Sequence, residues 1–420
     1  MEKSHSHWRA AHPLIFISSA LCIGYSIAFQ IQIPTNTFYP WALIIMLFSM
    51  LILLFTKHFL LSNWIQGIIV LMILLSWGGS LYLATQKLDL FNIPYSHAII
   101  NEARQWMILK INKSITENDA NGFAQALLMG VKADINKDIL KAYTQLGIIH
   151  IIAISGMHLD ILFKNALFIT RWLPRKKFWL VMELILILSA VWMYTFIAYA
   201  SPSVVRASLF FSIYFIGTFL NQPKYTLNCI AAGLFIILFF DIHSIHHIGL
   251  QLSYAAVIGI HLFYPLFDEM LPMDNIILKW MWRNLCVSFA AQITTLPILL
   301  FHFHQISTLV LISNFIMVPL STILLYAIFL LMMAPHQMHI SAYLGKWIQH
   351  YIQWLNQGVL YFYEQAIGNP FVIQMSALQV AGYYAGLFLV YLWLYQRQAK
   401  YLTYMMVILT VFSLIKLFSP

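Results

Sequence analysis

Uninterrupted apolar runs of about twenty residues recur along most of this chain and constrain its fold more than any other feature. A run of this length spans the hydrocarbon core of a bilayer as a helix, whereas the strands of a membrane barrel alternate apolar and polar residues over about ten positions. The composition agrees, because 61% of the residues are hydrophobic and only 9% are charged. A soluble domain carries about 25% charged residues. The sequence therefore predicts an all-α polytopic membrane protein and excludes a soluble enzyme.

Twelve apolar runs, some of them short or interrupted, predict about eleven transmembrane helices. They lie at about 14–31, 38–56, 59–84, 148–170, 178–200, 203–220, 226–240, 248–267, 285–302, 306–334, 376–396 and 401–418. Several contain polar residues or proline and glycine, which predicts that some helices are broken or are amphipathic and interfacial.

Changes in composition divide the chain into four predicted regions. Residues 1–84 form the N-terminal transmembrane helices, and residues 85–147 form a nearly neutral, extracytoplasmic or interfacial amphipathic segment. Residues 148–335 form the polar-interrupted core. Residues 336–420 form an interfacial helix, rich in tryptophan and tyrosine, and the C-terminal transmembrane helices. The amphipathic segment either lies on the membrane or packs as a layer on the helix bundle.

Lysine and arginine in the short loops predict the orientation of the chain. The cluster Arg171, Arg175, Lys176 and Lys177 falls on the cytoplasmic side if the amino terminus is cytoplasmic. The side of the C-terminus depends on whether residues 340–366 span the bilayer or lie flat on it.

Polar residues inside the apolar runs are the candidate functional residues. An unpartnered polar group in hydrocarbon costs several kcal/mol, so such residues must face protein, water or a ligand. The candidates are His150, Ser155, Gly156, His158, Arg206, Gln251, Ser253, Gln292, Pro297, Asn314 and Pro319.

The first group of candidates lies around residues 150–158. A helix break at Ser155 and Gly156 would let His150, Ser155 and His158 converge on a cavity, as broken helices do in transporters. Alternatively, the serine bonds its own helix and the histidines cap neighbouring helices. Arg206 either extends to the interface or holds a phosphate or carboxylate.

The second group lies in the later runs. Gln251 and Ser253 fit interhelical hydrogen bonding. Pro297 and Pro319 predict kinks that leave backbone carbonyls unpaired. Gln292 and Asn314 either satisfy those carbonyls or line a pore.

Enzyme signatures are absent from the sequence: it contains no G-x-x-x-x-G-K-[ST], H-E-x-x-H or G-x-S-x-G pattern. The three cysteines, Cys22, Cys229 and Cys286, are too far apart in sequence for a typical metal-ligand spacing. We therefore expect no catalytic residue, no metal and no cofactor. The alternative is an intramembrane hydrolase that uses Ser155 as its nucleophile.

The segment Gly147-Ile-Ile-His150-Ile-Ile-Ala-Ile-Ser155-Gly156-Met-His158 resembles the signature of the ComEC competence proteins. Later elements follow in the family's order: Arg206-Ala207, Gln251-Leu-Ser253, Gln292 to Pro297, and Asn314 to Pro319. The resemblance covers about 120–335.

This resemblance implies a channel, in the bacterial inner membrane, that passes single-stranded DNA into the cytoplasm during natural transformation. The polar candidates would then line the channel or contact DNA, and the lipid bilayer surrounds it. Many members also carry an OB-fold and a metallo-β-lactamase-like nuclease. Residues 85–120 are too few for a full OB-fold and no H-x-H-x-D-H signature occurs, so we expect a separate nuclease. A DNA receptor outside the cell membrane and a cytoplasmic helicase-like motor are further implied partners. A small-solute transporter is the alternative function.

Overall fold

Helices dominate the part of the chain that the computed structural model describes. The described residues are 98–131, 135–174, 176–221, 226–307, 309–335, 339–365, 371–401 and 403–405. The helices are α1 (Ala98–Ser114), α2 (Asn118–Met129), α3 (Lys137–Gln145), α4 (Ile149–Ile152), α5 (Gly156–Thr170), α6 (Lys177–Ile197), α7 (Pro202–Phe219), α8 (Thr226–Phe240), α9 (Ile248–Asp268), α10 (Ile276–Phe303), α11 (Val310–Met333), α12 (His339–Gln365) and α13 (Ala377–Gln396). Two short strands, β1 (Gln305–Ile306) and β2 (Phe371–Val372), pair antiparallel.

Six helices of the described residues are long and apolar enough to cross a membrane. They are α6, α7, α9, α10, α11 and α13. Their best windows have mean hydropathies from 1.3 to 2.4. This confirms the helical membrane class, while eleven spans are not confirmed. The first three predicted runs lie outside the described residues, as does most of 401–418.

Three predicted segments differ from continuous transmembrane helices. The run at 148–170 is split into α4 and α5, and α8 has only 15 residues. Helix α12 has 27 residues, but it is not among the candidate membrane spans. Polar side chains such as Lys346 and Gln353 recur along it and keep it too hydrophilic for that set.

The chain divides into two compact units. The described part of the first unit comprises residues 165–174, 176–192, 205–221 and 226–250. The second unit comprises the other described residues.

Helix α2 lies inside the core of the second unit. Nine of its twelve residues, from Ala120 to Met129, are buried. They pack in one apolar cluster with residues of α1, α3, α4, α11 and α12. At the N-terminus of α2, the carboxylate of Glu117 caps the helix by accepting hydrogen bonds from the amides of Asp119 and Ala120. Of the two alternatives for residues 85–147, the packed layer is therefore the one adopted by the described part.

Two buried cations of α1 cap the C-terminal ends of two other helices. Arg104 donates from Nε to the carbonyl of Ile197 at 3.0 Å and from a terminal nitrogen to the carbonyl of Phe196, at the end of α6. Lys110 Nζ donates to the carbonyls of Met332 at 2.7 Å and Ala334 at 2.6 Å, at the end of α11. Helix C-termini carry unpaired carbonyls and partial negative charge, so both contacts are favourable. Burial lowers the pKa of Lys110 below its ordinary value, because it removes water from the ammonium group.

In the first unit, hydrogen bonds join the helices at polar side chains. Thr170 Oγ1 donates to the buried carboxylate of Glu183 at 2.8 Å, which ties the end of α5 to α6. Trp192 Nε1 donates to Ser212 Oγ at 3.1 Å. The buried Asp241 accepts from the amide of His243 at 3.1 Å and caps a short 3₁₀ turn after α8. Asp241 is thus a helix-end group.

Candidate functional site

The predicted break in the apolar run 148–170 is confirmed. Helix α4 ends at Ile152, Ala153 is extended, and α5 begins at Gly156. Ser155 acts as an N-cap, because its Oγ accepts from the amide of Met157 at 3.3 Å. Of the carbonyls that the break exposes, that of Ile154 accepts a hydrogen bond from Ser203 Oγ at 3.0 Å.

Ser155 and His158 form a close pair at this break. The Nδ1 atom of His158 lies 3.2 Å from the amide nitrogen of Ser155 and 3.2 Å from its Oγ. Because the amide can only donate, Nδ1 accepts and the neutral ring carries its proton on Nε2. His158 is fully buried, and Nε2 has no hydrogen-bond partner among the residues that the structure describes. A buried donor without an acceptor is therefore left facing the interior.

His150 is placed differently from His158. It lies in α4 and is exposed. The structure therefore brings Ser155 and His158 together and leaves His150 exposed on α4.

Gln251 confirms the predicted interhelical hydrogen bonding. Its Oε1 lies 3.2 Å from Nε2 of His302, which joins α9 to α10. Ser253 lies half-buried on α9.

The backbones of α9 and α10 approach each other closely at Gly259, where an added Cβ would lie 2.4 Å from the carbonyl oxygen of Ala290. The second unit thus places α9 and α10 in direct backbone contact.

The carbonyls freed by Pro297 are satisfied by two tyrosines that the sequence analysis missed. Pro297 has no N–H for the carbonyl of Ile293, four residues earlier. Tyr383 OH on α13 donates to that carbonyl at 2.9 Å, and Tyr384 OH donates to the carbonyl of Thr294 at 2.8 Å. The alternative in which Gln292 serves this purpose is therefore wrong. The two adjacent tyrosines inside an apolar run could have indicated such a contact, because a phenol group that is removed from water needs a hydrogen-bond acceptor.

Gln292 and Asn314 remain as buried polar groups of the second unit. The Nε2 atom of Gln292 on α10 is buried without a hydrogen-bond partner among the described residues. The same holds for Oδ1 of Asn314 on α11, whose side chain is 7% exposed. Pro319 lies within α11, about one turn beyond Asn314.

Arg206 belongs to the first unit and is buried in α7, with 8% exposure. A side chain that extends to the membrane interface would be exposed, so the burial of Arg206 argues against that alternative. The prediction that Arg206 shares a passage with the candidates of the second unit stays a prediction.

No metal site emerges from the described part of the chain. Within it, no three His, Cys, Asp or Glu side chains are placed to hold an ion together. Cys229 and Cys286 are free thiols, and Cys22 lies outside the described residues.

Comparisons with known proteins place the chain in a family. The family model described as "Competence protein" matches residues 127–397. ComE operon protein 3 of Bacillus subtilis (strain 168) is 29% identical over 254 residues, which cover 60% of this chain and 31% of that protein. The chain thus matches less than a third of the relative's length. No solved structure matches the chain. The family match covers more than half of the chain and includes His150, His158, Arg206, Gln292 and Asn314, so the chain belongs to the competence protein family.

Proposed function

We propose that this chain forms a channel in the bacterial inner membrane through which single-stranded DNA enters the cytoplasm during natural transformation. One observation carries the proposal: the apolar helices of the second unit bury polar atoms that have no partner among the described residues. These atoms are Nε2 of His158, Nε2 of Gln292 and Oδ1 of Asn314.

Such atoms are costly unless something else bonds them. An unpaired buried donor or acceptor costs about 1–3 kcal/mol, and more in hydrocarbon than in a soluble core. Water or a passing substrate would supply the missing bonds. A translocating strand needs mild hydrogen-bonding groups of this kind rather than a dense array of cations that would hold it.

The proposal assigns further properties to the protein. The amino terminus is cytoplasmic, and the chain works as a channel without a catalytic residue, metal or cofactor of its own. Its partners are a nuclease, an extracytoplasmic DNA receptor and a cytoplasmic helicase-like motor. Arg206, His150, Ser253 and Gln251 contact the DNA or line the passage.

Asn314→Leu tests the channel role. Leucine matches asparagine in size but removes the unpaired amide, so the stability of the folded protein should stay the same or rise. Loss of one hydrogen bond to the strand, worth about 1 kcal/mol, should lower transformation about fivefold. Transformation frequency is measured in a competent host whose own copy is deleted, together with the amount of inserted protein.

Thr322→Val is the matched control on α11. Its hydroxyl already bonds the carbonyl of Val318 in its own helix at 2.8 Å, so transformation should not fall. An Asn314→Leu protein that is inserted normally and supports full transformation would contradict the lining role. Unchanged transformation after deletion of the gene would reject the channel itself.

A second candidate function rests on the Ser155 and His158 pair. A hydroxyl 3.2 Å from an imidazole nitrogen is within reach for nucleophilic catalysis. However, the amide of Ser155 also donates to that nitrogen, and the far side of the ring has no described acceptor to orient it. Ser155→Ala separates the two functions: a hydrolase would lose its activity completely, whereas a channel would keep most of its transport. A transporter would be favoured instead if the protein took up a small solute in the absence of DNA and if Asn314→Leu abolished that uptake.

A further inference from the structure

The turn between α5 and α6, in the first unit, concentrates exposed positive charge. Arg171, Lys176 and Lys177 are all exposed there, and we call these three residues the basic turn. Arg175 lies between them in the sequence. Lys177 is also the first residue of α6, one of the six candidate membrane spans. The basic turn therefore lies at the end of a membrane helix, where a bilayer surface is expected.

Exposed apolar side chains surround the basic turn. Trp172 is 76% exposed, Phe178 is 66% exposed and Ile169 is 61% exposed. The guanidinium carbon of Arg171 lies 3.9 Å from the ring centre of Phe168 and 5.0 Å from that of Trp172. Arg171 is thus held over two rings at the surface, which limits the entropy that it loses when it binds an anion.

The charge of the basic turn has no acidic counterpart at the start of α6. No Asp or Glu occupies the first turn of that helix, and Glu183 is buried and accepts from Thr170 Oγ1. A helix N-terminus already carries partial positive charge, so Lys176 and Lys177 are unfavourable there without an external anion. Within the described residues, the start of α6 therefore offers no carboxylate to balance the basic turn, so an external anion would be favourable there.

We infer that the basic turn, with Phe168, Trp172 and Phe178, is a binding site for the phosphate-bearing headgroups of anionic phospholipids. The cations lie at the level of the phosphates, and the apolar side chains enter the acyl region beneath them. A nucleic acid fits less well, because Ile169 offers no ring for a base and Arg171 covers one face of Phe168. The site anchors the turn between α5 and α6 to anionic lipid and does not depend on what the protein transports.

Lipid selection by the full chain tests the inference. The purified protein is placed in nanodiscs of equal parts phosphatidylglycerol and phosphatidylcholine. The lipids that remain bound after transfer to detergent are then counted by mass spectrometry. Each cation near an anionic surface is worth about a fivefold preference. The variant Arg171→Gln, Lys176→Gln, Lys177→Gln should therefore lose roughly 100-fold of the preference for phosphatidylglycerol.

A matched triple variant controls for overall charge. It is Lys113→Gln, Lys137→Gln, Lys141→Gln, which removes three other exposed lysines, and the preference should stay unchanged. An equal loss in both triple variants overturns the inference, as does wild-type preference in the variant of the basic turn. Arg171→Lys keeps the charge and loses the planar contact with the two rings, so it should lose less than about fivefold.

Two further arms complete the test, the first with the unchanged protein and the second with the unchanged protein and the variant of the basic turn. Added salt should lower the preference for phosphatidylglycerol, because salt screens exposed charges, and a preference that salt does not lower overturns the inference even where a triple variant does not fold. A thymidine oligonucleotide is added to discs of phosphatidylcholine alone. If it binds the wild type but not the variant of the basic turn, while the lipid preference is unchanged in that variant, the surface binds nucleic acid and the inference is wrong.

Discussion

Tyr383→Phe should destabilise the protein through a carbonyl on another helix. The phenol of Tyr383 lies 2.9 Å from the carbonyl oxygen of Ile293, which Pro297 deprives of its usual helical donor. A hydrogen bond between membrane helices is worth about 0.6 kcal/mol on average and up to about 1.7 kcal/mol. Within α10 no backbone N–H can replace the phenol as donor to this carbonyl. We therefore expect the free energy of unfolding to fall by about 1.5 kcal/mol, near the upper end of that range.

A double-mutant cycle with Pro297→Ala isolates this contact. Alanine restores an N–H that can bond the carbonyl of Ile293 within α10, so Tyr383→Phe in that background should cost less than about 0.5 kcal/mol. The free energy of unfolding is measured by denaturing-detergent titration of the purified protein. Tyr395→Phe on the same helix is the control, because Tyr395 is 67% exposed and its hydroxyl can bond water or headgroups. Equal losses from Tyr383→Phe in both backgrounds would refute the reasoning.

Two further substitutions should act at single contacts of the second unit. Gly345→Ala on α12 would place Cβ 2.2 Å from the backbone oxygen of Ser114, so we expect about 1–3 kcal/mol of destabilisation in thermal unfolding. Gly358→Ala, on the same helix with open space around its Cα, should be neutral or slightly stabilising, and a loss equal to that of Gly345→Ala would contradict the close approach. Lys110→Met should uncap the last carbonyls of α11 and cost about 1.5–3 kcal/mol; unchanged unfolding of this variant would show that water caps that helix end equally well.

Local signals in the sequence were sufficient for the break before α5. Ser155 followed by Gly156 is an N-cap signal within an apolar run, and the structure begins a helix there. Proline inside α10 and α11 likewise predicted freed carbonyls. The donor that bonds the freed carbonyl of Ile293 could not be predicted. Tyr383 lies 90 residues from that carbonyl, and no local sequence pattern indicates such a contact.

The burial of α2 was harder to predict for a different reason. The acids and lysines of residues 85–147 suggested an exposed layer, but Glu117 caps the helix and leaves Phe123 to Met129 free to pack on all sides. For Arg206 and His158, the residues themselves were found from the sequence, but their spatial relation was not. The sequence analysis identified both as polar residues inside apolar runs and left open whether Arg206 reaches the interface. The structure buries both, while the passage that they are predicted to share depends on how distant helices assemble.

The two cations of α1 also set an order for making the protein. Lys110 caps carbonyls that follow it by 222 and 224 residues, whereas Arg104 finds its partners after 92 and 93 residues. At a synthesis rate of about 5–20 residues per second, the ribosome needs on the order of 10 to 40 s to add the later set. Until then the carbonyls that Lys110 caps do not exist, so the docking of α1 cannot be complete before the end of α11 has been synthesised.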